Sequence, residues 1–185
     1  YTLWHTLSLH DALPILPVTA ISTLALGADL GCVFSLSTEG PDSQSVCLDG
    51  AVRAAATGAW STTATLLGET AMLAMATVGS DNPAATPAHL TYISPEHGLW
   101  SLTWDGTAAG PSERLLPDDA CGSALCGVRG FDQQWFLAAR AGQGLHSLRF
   151  TDGRGAWTHM AEVADGEVRG SLAAVGDSKR ILLAW

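Results

Sequence analysis

Lysine is almost missing from this chain: Lys179 is the one lysine in 185 residues. The other basic residues are arginines, scattered rather than clustered. Against nine basic residues stand 18 acidic ones, for a formal net charge of −9. A chain of that sign with no basic stripe lacks what holds a phosphate backbone, so nucleic acid is excluded as a partner. Long apolar runs are missing too. No uninterrupted stretch approaches the ~20 residues of a membrane-crossing helix, so no membrane span is expected. The Gly-rich phosphate loop, H-E-x-x-H, G-x-S-x-G and EF-hand patterns are all absent. No catalytic residue, cofactor or metal is therefore assigned. The acidic pairs Asp81-Asn82 and Asp118-Asp119 read as solvated loop residues.

Cysteine is sparse but even in number: Cys32, Cys47, Cys121 and Cys126. Four cysteines allow three pairings. The sequence-local set, Cys32–Cys47 and Cys121–Cys126, is expected. With the scarcity of lysine it points to an oxidising, extracellular or periplasmic compartment. Four free buried thiols are the alternative. The Cys121–Cys126 spacing is wrong for a zinc pair, and no nearby His pair completes four ligands.

Residues 6–15 read TLSLHDALPI. Back-translated, they resemble the tail of a short-read sequencing adapter. Residues 1–15 are accordingly expected to be a non-native segment, and His10 and Asp11 are kept out of any site. A signal peptide cannot then be sought in this sequence.

What the chain does have is a repeat. Residues 98–104 read Gly-Leu-Trp-Ser-Leu-Thr-Trp, and residues 144–150 read Gly-Leu-His-Ser-Leu-Arg-Phe. The two copies start 46 residues apart, and both run into Asp-Gly. A period of that size with four short strands per unit is the signature of a β-propeller. Strand-like runs fall at 18–26, 31–37, 45–48 and 59–66, with a hairpin turn at Asp49-Gly50 and a helix over 49–57 as competitor. They continue at 71–78, 89–93, 98–104 and 114–116, then at 123–128, 134–141, 146–150 and 157–163. Residues 170–175 and 181–185 begin a fourth unit, in which Leu183 answers Leu137 at the same spacing.

The fold expected is all-β. It is a partial β-propeller of about three to four four-stranded blades, with a β-sandwich as the alternative. The blades run approximately over 17–68, 69–120, 121–167 and, in part, 168–185. The sequence reads as truncated at both ends. Small residues at 123–128 and 171–176 suit innermost strands crowded near an axis. The second unit is longer than the third, with its extra residues near 80–87, where a surface insertion is tolerated.

Two resemblances bear on function. Residues 151–157 (TDGRGAW) resemble the Asp-box turn of sialidase-type propellers, with Asp152 and Trp157 correctly separated. Arg154 and Phe150 stand where that box has Gly and Ser. The resemblance would imply a glycoside hydrolase with an arginine cluster and a Tyr/Glu pair. Arg129, Arg140, Arg149, Tyr92 and Glu96 are the residues on offer. The strands flanking Asp-Gly are also similar to fucose-binding propeller lectins, whose sugars sit between blades on aromatic and arginine side chains. By that resemblance Trp100, His146 and Arg149 are the candidate ligand-binding residues. Blade packing for Trp100 and His146, and solvation for Arg149, His159 and Glu162, is the competing reading. The function expected is a binding module for a glycan or a protein ligand. The alternatives are a fragment of a sialidase-like hydrolase and a structural interaction scaffold. Nothing in the sequence sets an oligomeric state.

Overall fold

The computed structural model of the chain describes residues 18–26, 30–38, 46–54, 57–59, 64–67, 72–80, 87–105, 108–142, 144–151, 155–160, 168 and 170–185. The adapter-like segment lies outside them. Among the described residues all fourteen regular elements are strands. The first sheet holds β1 (Val18–Leu26), β2 (Leu30–Thr38), β3 (Val46–Ala54) and β4 (Ala64–Leu67). The second holds β5 (Ala74–Val78), β6 (Ala88–Ile93), β7 (Leu99–Trp104) and β8 (Glu113–Leu116). The third holds β9 (Cys121–Gly130), β10 (Gln133–Arg140), β11 (Leu145–Thr151) and β12 (Ala156–Met160). Finally β13 (Ala173–Gly176) pairs with β14 (Ile181–Ala184). Every sheet is an antiparallel meander with its strands in chain order.

The first strands of successive sheets lie side by side: β1 against β5, β5 against β9, β9 against β13. Each sheet thus stands as a blade beside the next, with its first strand innermost. The small residues expected there are present for a steric reason. A Cβ added to Gly127 on β9 would come within 2.7 Å of Val78 Cγ2 and 2.8 Å of both Phe136 Cε1 and the Thr77 carbonyl.

Burial on both faces follows from this stacking. Phe136, Ala138 and Leu148 of the third blade pack with Val78, Leu99 and Leu116 of the second. Leu137, Ala139 and Leu145 look the other way, onto Leu172, Ala174 and Leu183. Successive strand residues alternate faces, so each blade feeds two cores. Serines are buried for the same reason. Ser101 sits opposite Thr91, accepts its hydroxyl at 3.2 Å and donates to the Leu90 carbonyl at 3.4 Å.

Four expectations need correction. Asp49-Gly50 is not a hairpin turn: β3 runs straight through, with Asp49 opposite Ser35 and Gly50 opposite Phe34. Over residues 49–54 strand replaces the competing helix for the same reason, since two partners for β3 reward an extended chain. Leu183 does not occupy the place of Leu137. The two belong to one core and face each other across a blade boundary; a shift of one residue flips a strand's faces. Cys121 and Cys126 are free thiols. Both lie on β9, five residues and ~16 Å apart along the strand, far beyond the reach of a disulfide. The register also separates the other pair, since Cys47 is opposite Ser37 and Cys32 opposite Val52. The cysteines therefore lend no support to an oxidising compartment.

The longer second unit is as expected. Val78 pairs with His89, and the equivalent Val128 pairs with Trp135; four more residues separate the first pair than the second.

Candidate functional site

The boundary between the third and fourth blades carries an unusual surface turn. β9 and β10 are joined by Phe131 and Asp132, both left-handed, with φ of 54° and 56°. Two such residues in a row make the tight turn that matches strand twist, but Asn or Gly normally fill it. A phenylalanine there is strained. It is held by its own N–H, which donates to the Asp177 carbonyl at 2.8 Å. The result is a ring 47% exposed, standing edge-on to Trp135 with centroids 6.2 Å apart.

Trp135 lies on β10 directly opposite Arg149 on β11. The guanidinium carbon of Arg149 sits 5.8 Å from the indole centroid, a cation–π arrangement. The indole N–H is spent on the Gly130 carbonyl at 2.9 Å, which fixes the ring plane. Gln133 is two residues before Trp135 and so shares its face. Gln133 Oε1 and Arg149 Nε are both buried, and neither has a hydrogen-bond partner. Arg149 also forms none of the ion pairs seen among the described residues, which join Arg114 to Asp118 and Arg180 to Asp177. One acceptor and one charged donor therefore stand unsatisfied on the face that bears an aromatic platform. Buried groups of that kind are uncommon and call for a cause.

The three ligand candidates of the sequence do not converge. Arg149 belongs to the site just described. Trp100 follows Leu99, which packs towards the third blade, so Trp100 points the opposite way, towards the first. Its indole nitrogen lies over Gly98 beside the Asp118 carboxylate. His146 shares a face with Leu148 and looks towards the second blade. It reaches the Ala120 carbonyl at 2.9 Å and His159 at 3.0 Å.

The residues a sialidase-like reading would use are also apart. Arg129 is opposite Gln134 and shares its face, away from Arg149. Arg140 is exposed at the far end of β10. The Tyr92 hydroxyl meets Ser112 at 3.4 Å rather than Glu96. Asp152 and Arg154 of the Asp-box-like turn lie outside the described residues. A cleft of about 570 Å³ opens near the inner strands, lined by Gly122, Ser123, Arg140, Ser171 and Leu172 among others. It contains no aromatic residue and none of Trp100, His146 and Arg149.

Trp135, Gln133 and Phe131 were missed as site residues by sequence reading. The one available signal was Gln133, a polar residue opening an otherwise apolar strand.

No family model matches the chain, and no curated protein matches it in sequence. Solved structures do match. A triple arginine-to-alanine mutant of AofleA from Arthrobotrys oligospora aligns with a TM-score of 0.58 at 16% identity, over 86% of this chain and 46% of its own. AofleA itself aligns at 0.54 and 16%, with the same coverage. A mutant of Aleuria aurantia lectin in complex with alpha-methyl-L-fucoside aligns at 0.56 and 14%, over 88% of this chain and 52% of its own. The chain spans about half the length of these structures. At such identities the likeness is one of fold, and the fold is an all-β partial β-propeller.

Proposed function

We propose that the chain is a glycan-binding module of β-propeller type, and that its sugar sits at the third–fourth blade boundary on Trp135, Phe131, Arg149 and Gln133. The carrying observation is the pair of unsatisfied groups, Arg149 Nε and Gln133 Oε1, on the face of Trp135. A sugar hydroxyl both donates and accepts, so one ring can answer both groups. The C–H face of a sugar is apolar and suits an indole or phenyl surface. Mostly apolar walls with a few placed polar groups are what small-ligand sites require. The shared fold with a lectin that holds a methyl fucoside supports the same reading.

A glycan array probed with the chain and with its Arg149→Ala variant tests this. The expected result is a restricted set of bound sugars that the variant loses. A chain that binds no sugar removes the reading and leaves a protein-interaction scaffold in its place.

A further inference from the structure

His146 and His159 stand on neighbouring strands at the opposite end of the third blade from the Phe131 turn. Leu148 is directly opposite His159, and His146 shares the face of Leu148, so the two imidazoles meet diagonally. His146 Nδ1 and His159 Nε2 are 3.0 Å apart, and the ring centroids are 5.1 Å apart. The second nitrogen of His146 is 2.9 Å from the Ala120 carbonyl. A carbonyl only accepts, so His146 Nε2 carries the hydrogen. In the uncharged ring the lone pair is then on Nδ1, aimed at His159.

We infer that His146 and His159 chelate a divalent transition ion of the zinc, copper or nickel class. Imidazole nitrogens suit those ions and not magnesium or calcium. A metal-binding histidine characteristically donates its other N–H to a carbonyl or carboxylate, as His146 does to Ala120. Two nitrogens bound tetrahedrally to one zinc ion lie about 3.4 Å apart, given bonds of about 2.0–2.1 Å. The observed gap is a few tenths of an ångström shorter, and His159 is exposed, so its ring has room to turn. On binding, His159 moves its own hydrogen from Nε2 to Nδ1 and presents the freed lone pair. Among the described residues no third His, Cys, Asp or Glu joins the pair. The bound ion ties the outer strand β12 to β11, whose His146 also holds the Ala120 carbonyl in the crossing between the second and third blades.

Calorimetric titration of the chain with zinc chloride, nickel chloride and magnesium chloride tests the site. Zinc and nickel are expected to bind about tenfold or more tightly than magnesium. His159→Gln should remove one bound ion per chain, and His146→Gln should do the same. His97→Gln, at a ring held to the Cys121 carbonyl, should leave binding unchanged. Because His159 is exposed, its substitution leaves the core intact. Zinc binding no tighter than magnesium, or unchanged in His159→Gln, overturns the inference.

Discussion

His89 Nδ1 donates to Gln134 Oε1 at 2.9 Å across the boundary between the second and third blades. The direction is fixed because Gln134 Nε2 donates to the Pro87 carbonyl at 2.8 Å, leaving its oxygen as the acceptor. Both residues are buried. The imidazole also packs on Phe150 and Trp157, with centroids 4.3 and 4.9 Å away. A directional bond inside an apolar boundary sets how one blade seats on the next. Gln134→Leu strands the His89 N–H and the Pro87 carbonyl. It should cost about 1–3 kcal/mol of stability, read as a lowered denaturation midpoint. An unchanged midpoint would mean the bond is not maintained in solution.

Crowding of the inner strands gives a second expectation. Gly127→Ala places a methyl group against Val78, Phe136 and the backbone at Thr77. Two of those contacts are with neighbouring side chains that are themselves buried. The cost should be about 1–3 kcal/mol, the usual range for overpacking. Thermal unfolding of the variant checks it.

Alkaline pH should loosen the fold. Burial pushes the Cys121 and Cys126 thiols from 9.0 up to about 11. As pH rises past 9, the unfolded chain loses these protons before the folded one does. Stability is therefore full below that point and is progressively lost towards pH 11. Replacing both cysteines by alanine should flatten that loss in denaturation midpoints measured across the window. At neutral pH a thiol reagent should label Cys121 and Cys126 only after unfolding, because the thiolate is the reactive form.

The Phe131 turn separates stability from binding. Asn is favoured where φ is positive, and Phe is not. Phe131→Asn should leave the melting temperature equal or higher, because about 1 kcal/mol of backbone strain is relieved. The same change removes an exposed aromatic surface from the candidate site and should weaken sugar binding. A loss of both stability and binding would make Phe131 a packing residue.

Much of the fold was legible because the repeat carries strand identity and spacing together. Leu99 and Leu145, 46 residues apart, do hold equivalent places, one facing the third blade and the other the fourth. The same spacing failed at Leu183, since Leu172 and Ala174 ahead of it already face back onto the third blade where Ala124 and Cys126 face forward, and a slip of one residue reverses a face. Asp49-Gly50 misled because its turn preference is local, whereas two partner strands decide the matter for β3. The cysteines misled because an even count carries no information on register. The candidate site was only partly readable. Arg149 was found by resemblance to lectins, but Trp135 looked like one more core aromatic on an apolar strand. Its partnership with Arg149 depends on the β10–β11 register, and the unsatisfied Gln133 oxygen exists only in three dimensions.

Sugar affinity at the third–fourth blade boundary is the quantity on which the functional account rests. Titration calorimetry with alpha-methyl-L-fucoside, and with any other glycoside found on the array, should give saturable binding by the unaltered chain. Arg149→Ala and Gln133→Leu should each weaken it by about tenfold or more, as expected for loss of a hydrogen bond involving a charged or buried group. Equal affinity in the chain and in both variants would contradict the account.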